Sequence, residues 1–310
     1  MAQFAYVGSG PYCFTNSLAM MTGDHSTAVI EFATGSPFGM QTFGNLAFFD
    51  PYGWDPLQGL PLALEAMGWE STEVVGANEE EAIKNLKEAL IKGPVFVGPL
   101  EMGLLSYNPI STGPIGADHY VVVTRHNDDM LELHDPHGHP YATIPLDEFI
   151  KAWKTETLGY GKSYTMRTDF KRVQHYSEEE VIKRSLANNL TWLSGSKGGD
   201  IPPDGRANGE AVQVLSSKLE EDLPPSLRGD MIFFMVRVGA RRAADGATCL
   251  ARIGYDEAAS IMTEQARLIG SLQYPAVKKD AAEIRRILAK LAPTYDALKT
   301  ALEAKLGQKK

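Results

Sequence analysis

Cys13 stands where Gly8-Ser9-Gly10-Pro11-Tyr12 gives way to a helix-compatible run, Phe14 to Met21. A thiol in the first turn of a helix meets N–H groups without helical partners and the positive end of the helix dipole. Both favour thiolate, the nucleophilic form of cysteine, so the position predicts a depressed thiol pKa. Far downstream, His119 opens the run Tyr120-Val121-Val122-Val123, and Asp135 follows Met130-Leu131-Glu132-Leu133-His134. A histidine can take and return the thiol proton, and a carboxylate can fix the imidazole. Together the three residues suit acyl transfer through a thioester on Cys13.

Each residue also has a plain structural reading. A cysteine in an apolar helix commonly packs as a small hydrophobe, and Cys249, among Ala and Leu, is read that way. His119 alone reads as a satisfied structural histidine, and Asp135-Pro136 alone as a turn. Their order and their placement at element boundaries set them apart from these readings.

The elements that must position them can be read coarsely. Thr15 to Met21 and Ser26 to Phe32 pattern as short helices. Residues 35–60, rich in Gly, Pro and aromatics, read as a long functional loop or lid. Pro61 to Met67 is helical, and Asn78-Glu79-Glu80-Glu81 starts a helix running to Ile91. Strands follow at 94–98, 119–125 and 130–134, with Asn127-Asp128-Asp129 as a hairpin turn. That hairpin would set His119 and Asp135 side by side. A short amphipathic helix at 145–153 and a strand at 163–167 close the first half. From about Ser177 the pattern is helical alone, over 178–193, 210–221, 225–243, 245–270 and 278–306, with a polar loop over 194–209 and breaks at Pro275 and Pro293. The fold class expected is α+β, with residues 1–172 as the chemistry-bearing domain and 173–310 as an all-α bundle of five or so helices.

Composition narrows the function. The chain has 310 residues, 44% hydrophobic and 22% charged, with a net charge of −9. That charge argues against broad phosphate neutralisation on nucleic acid. Two cysteines in different halves make no disulfide framework and fit a reducing compartment. The N-terminal residues lack a secretory pattern, and no apolar run is long enough for a membrane span, so the expected location is cytoplasmic.

Other signals are weaker. Glu101 and Tyr107, after the 94–98 strand, could line a substrate cleft, with Glu101 binding a cation or standing as an exposed loop carboxylate. The spacing His134-x-x-His137-x-His139 invites a metal, but a turn scatters such side chains, and no metal or other cofactor is expected. Gly8-Ser9-Gly10 lacks the third glycine of a dinucleotide loop. Arg237, Arg241, Arg242 and Arg252 form a basic stripe that could meet a carboxylated substrate or an acidic carrier protein, or be a solvated helix face.

Cys13 to Met40, with the Gly35-Ser36-Pro37-Phe38-Gly39 turn, resembles the start of the BtrH-like family, named for the butirosin-biosynthesis acyltransferase. His119 to Val123, Asp128-Asp129, His134-Asp135-Pro136, Ile144 to Phe149 and Trp153 also match, in a pattern shared with bacteriocin-leader-type, papain-like peptidases. The order Cys, His, acid is that of papain-like enzymes. The helical second half looks like the all-α domain that follows in the BtrH-like group. The resemblance implies a papain-like domain with Cys13 as nucleophile, His119 as base and Asp135 as orienter. It implies an acyltransferase acting on a small-molecule or peptide acyl substrate, with an acyl carrier protein as a candidate partner. A peptidase or amidase, or a non-catalytic binding protein on the same fold, are the alternatives. Papain-like peptidases place a Gln shortly before the cysteine, whereas here the preceding Gln is the distant Gln3. The Cys13 N–H, with Asn16 or Asn108, is the substitute expected for the oxyanion.

Overall fold

The computed structural model describes residue 6 and residues 11–109, 111–127, 129–195, 204–219 and 223–307. Gln3, the Gly8-Ser9-Gly10 turn, Asp128 of the hairpin turn and part of the 194–209 loop lie outside the described residues.

The chain mixes α and β structure and ends in a helical region. It begins with α1 (Cys13–Thr22), α2 (Thr27–Thr34), the short strands β1 (Gln41–Phe43) and β2 (Leu46–Phe48), and α3 (Pro56–Met67). β3 (Trp69–Val75), α4 (Glu79–Lys92), β4 (Val95–Glu101), β5 (Asp118–Asn127), β6 (Met130–Asp135), β7 (His139–Pro145), α5 (Leu146–Trp153) and β8 (Thr165–Arg172) follow. The C-terminal region holds α6 (Glu178–Leu193), β9 (Arg206–Ala207), α7 (Asn208–Ser217), α8 (Pro225–Asp230), α9 (Val236–Arg252), α10 (Asp256–Ser271), α11 (Gln273–Lys278), α12 (Ala281–Leu291) and α13 (Thr294–Gly307). No helix among the described residues is long and apolar enough to cross a membrane.

Two compact units result, and neither is a continuous stretch. A sheet unit comprises Tyr12–Thr27 and Gly68–His175; a helical unit takes Met1–Pro11, Ala28–Met67 and Tyr176–Lys310. The division therefore differs from a single cut after residue 172, because 28–67 packs with the C-terminal helices.

In the sheet unit, six antiparallel strands run in the order β3-β8-β4-β5-β6-β7. Alternation along the strands divides their side chains. Val95, Val97, Val121, Val123, Leu131 and Leu133 join Leu86 of α4 and Phe149 and Trp153 of α5 in one core. Full burial of each such side chain contributes about 1.5–3 kcal/mol. The intervening residue Tyr120 packs against Phe96 and against Phe14 of α1, at ring-centroid distances of 5.5 and 6.2 Å. Ser17 Oγ of α1 also donates to the Tyr120 carbonyl at 3.1 Å. α1 stops at Gly23, whose left-handed φ of 73° lets its N–H reach Ala19 O. The sheet order pairs β5 with both β4 and β6, so the His119 and Asp135 strands are neighbours.

The helical unit corrects three expectations. Residues 35–60 are no lid. Phe38, Met40, Phe49 and Trp54 are buried, and β1 pairs with β2 and β9. Nor is the arginine stripe a free docking face: buried Arg242 binds Glu31 at 2.7 Å and Asp50 at 3.0 Å, Arg252 binds Glu178 at 2.6 Å, and Arg241 lies 3.6 Å from Asp245. The helices number more than five and break elsewhere than at 244. α9 continues to Arg252, and Gly254 (φ 77°) supplies the left-handed turn before α10.

Candidate active site

Asp135 is the hub of the site. Its Oδ1 lies 2.8 Å from His119 Nε2 and accepts the His137 main-chain N–H at 2.7 Å. Its Oδ2 accepts the Tyr107 hydroxyl at 2.8 Å. Burial raises the carboxyl pKa, but the hydrogen bond and charge of His119, the His137 amide and the Tyr107 hydroxyl outweigh it and hold it at about 2. An ionised carboxylate accepts from Nε2–H, which in the neutral imidazole leaves the lone pair on Nδ1. That Nδ1 is buried and has no hydrogen-bond partner among the described residues.

Cys13 is the first residue of α1 and is 8% exposed. Its sulfur is hydrogen-bonded by the main chain of Phe14 and of Tyr120, the residue after His119. The expected depressed pKa is nevertheless corrected: burial raises the thiol most, Asp118 raises it further, and Asp135 adds to this, together overriding the two main-chain hydrogen bonds. The helix start helps the thiolate, but two carboxylates oppose it in a medium that screens poorly.

Asp118 was not singled out from the sequence, although it directly precedes His119. It accepts the Tyr160 hydroxyl at 2.7 Å, and Tyr160 lies 3.1 Å from the Tyr120 hydroxyl. The Tyr120 ring rests against Gly98, where a Cβ would meet Cδ1 at 2.3 Å. Tyr160 comes from a loop with no distinguishing pattern.

The residues expected to line the substrate cleft or the oxyanion site divide. Glu101 is 1% exposed and is no cleft carboxylate. Its Oε1 accepts from the N–H groups of Gly103 and Ile115, and its Oε2 from Gly116 N–H and the Thr157 hydroxyl. It ties down the connection between β4 and β5 that leads into His119. Tyr107 spends its hydroxyl on Asp135 and so belongs to the orienting group. Asn16 sits in the first turn of α1, half-buried, and Asn108 is buried in a turn whose main chain bonds Leu105 and Ser111.

The histidine cluster is sorted differently from its sequence spacing. His134 Nδ1 accepts Tyr141 N–H at 3.1 Å, and His139 packs edge-on against Tyr107. His137 instead meets His119, with ring centroids 4.5 Å apart, and a ligand atom from each of His119, Asp135 and His137 lies within 4.8 Å of the others. The turn therefore scatters His134, His137 and His139 as expected, but it delivers His137 to His119 and Asp135. A cleft of the helical unit, lined by Tyr52, Arg206, Asn208, Gln213 and Asp296 among others, has no cysteine or histidine among its described lining residues.

Comparison with known proteins adds a family. A model described as the YobF C-terminal domain matches residues 202–303. The chain is 30% identical over 302 residues to the uncharacterized protein YobF of Bacillus subtilis (strain 168), covering 94% of this chain and 95% of that one. The match runs through both the sheet unit and the helical unit, so the chain belongs to the YobF family.

Proposed function

We propose that the sheet unit is a papain-like, cysteine-dependent acyl-transfer domain. The observation that carries this reading is the buried His119–Asp135 pair, at 2.8 Å, with His119 Nδ1 buried and without a hydrogen-bond partner among the described residues. Cys13 at the start of α1, its sulfur against the main chain of Tyr120, is the nucleophile.

Because the thiol is held protonated, His119 acts as a general base during attack. Nδ1 takes the proton as sulfur bonds to the acyl carbonyl carbon; the leaving group then departs with that proton. An amine next attacks the thioester, losing a proton to Nδ1, and the thiol is regenerated. Asp135 stays ionised and holds the ring, and Tyr107 and the His137 amide hold Asp135. The Cys13 N–H, at a helix position outside the hydrogen-bond ladder, is the oxyanion donor we assign, with Asn16 or Asn108 as the second. The BtrH-like resemblance favours transfer to an amine over hydrolysis, with a small-molecule or peptide acyl substrate.

The raised thiol favours a second reading, a binding protein on the same fold without turnover. Intact-mass analysis after incubation with a panel of acyl-thioesters separates the two. The transfer reading expects an acyl adduct on Cys13 that an added amine removes and that His119→Ala abolishes. No adduct with any thioester, or wild-type adduct levels in His119→Ala, overturns it; an adduct released by water at the same rate with or without amine assigns hydrolysis.

A further inference from the structure

We propose that His119, Asp135 and His137 form a binding site for Zn²⁺. Zinc there would silence Cys13, a consequence that rests on the acyl-transfer reading; the binding itself does not.

Two imidazoles and a carboxylate are a donor set suited to zinc, which takes nitrogen and oxygen ligands at about 2.0–2.2 Å in tetrahedral arrangement. At that bond length neighbouring ligand atoms stand about 3.3 Å apart. The three groups offer atoms already within 4.8 Å of one another, so small side-chain rotations close the shell. The Asp135 carboxylate is ionised and oriented by Tyr107 and the His137 main chain, the kind of outer support that metal-bound carboxylates receive. Nor is the trio an exposed acidic cluster: His119 and Asp135 are 1% and 4% exposed, and the buried His119 Nδ1 has no hydrogen-bond partner among the described residues. Three protein ligands leave a fourth position open.

The effect on Cys13 follows from the imidazole. If zinc takes Nδ1, it occupies the base directly. If it takes Nε2, the ring proton must sit on Nδ1. Either way the lone pair that would accept the thiol proton is lost.

The test uses the full chain and Zn²⁺ alone, titrated against a fluorescent chelator, with Cys13 alkylation by iodoacetamide as a second readout. One equivalent of zinc should bind, and Cys13→Ala should bind it as well as wild type. His137→Ala, or His137→Gln should the first variant fold poorly, should lose affinity at least about tenfold, since even an outer-shell partner contributes that much. Zinc should slow alkylation of wild type and not of the His137 variant. Absence of stoichiometric binding, equal affinity in the folded His137 variants, or loss of binding with Cys13→Ala would overturn the site. Chelator competition needs no acyl transfer, so a chain that binds zinc yet forms no acyl-enzyme even when stripped of zinc would refute the acyl-transfer reading and leave the site standing.

Discussion

His119 Nε2 and Asp135 Oδ1 lie 2.8 Å apart between two side chains each 1% exposed. Such a pair is fixed in orientation because neither partner can turn to water. Asp135 is held further by Tyr107 and the His137 main chain, so all three of its contacts come from within the sheet unit. Its rigidity sets which imidazole nitrogen is left for chemistry.

The carboxyl pKa of about 2, below the ordinary 3.8, links this pair to stability. A group whose folded pKa is depressed contributes fully above its unfolded pKa and loses that contribution as pH falls through the folded one. We expect about 2 kcal/mol from Asp135 above pH 4, declining towards pH 2. Urea unfolding of wild type and Asp135→Asn should therefore differ most above pH 4 and converge near pH 2. A constant difference across that range would mean the carboxylate charge is irrelevant to the pair.

Glu101 should matter to stability before it matters to chemistry. Four donors converge on its two oxygens, and Glu101→Gln turns two acceptor positions into an NH₂ group facing donors. Leaving buried donors unsatisfied costs about 1–3 kcal/mol each, moderated by local relaxation. The variant should unfold at lower urea and show faster proteolysis between residues 102 and 116. Wild-type stability would place the carboxylate outside the loop's anchoring.

Much of the sheet unit was legible because its signals are local. Acidic first turns, the β-branched run of β5 and the Pro145-led amphipathic helix each fix an element by short-range preference. Strands β3 and β7 were missed, since Trp69 to Val75 is mostly exposed and polar and β7 contains two prolines, Pro140 and Pro145, with Ile144 as its one buried residue. The pairing of His119 with Asp135 followed from the hairpin, whereas Glu101 was misread as a cleft or exposed-loop carboxylate. Its burial depends on a loop folding back over Gly103, where a Cβ would lie 2.0 Å from the Gly113 carbonyl oxygen, and nothing in local pattern announces that closure. Arg242 was misread for the same reason, because its carboxylate partners are some two hundred residues away.

That arginine neutralises a site with two buried carboxylates, Glu31 and Asp50, and its guanidinium lies 5.4 Å from the Trp54 ring centroid. Removing it strands both charges. Arg242→Met should destabilise by about 3–5 kcal/mol in denaturant unfolding, and adding Glu31→Gln should recover part of the loss. Additive losses in the double variant would show that Arg242 acts by packing and not by charge.

Asp118 provides the sharpest test of how Cys13 is governed. Its carboxylate raises the thiol pKa, while the Tyr160 hydroxyl donates to its Oδ2 at 2.7 Å. Asp118→Asn removes the charge and keeps an oxygen that can accept from Tyr160. Removing a negative neighbour favours thiolate, so the Cys13 pKa should fall and alkylation near neutral pH should quicken several-fold. Tyr160→Phe should not reproduce this, because it leaves the carboxylate in place. Cys249, itself raised by burial, is the internal control: its alkylation should be unchanged in both variants. Unaltered Cys13 kinetics in Asp118→Asn would mean that the Asp118 charge does not tune the thiol.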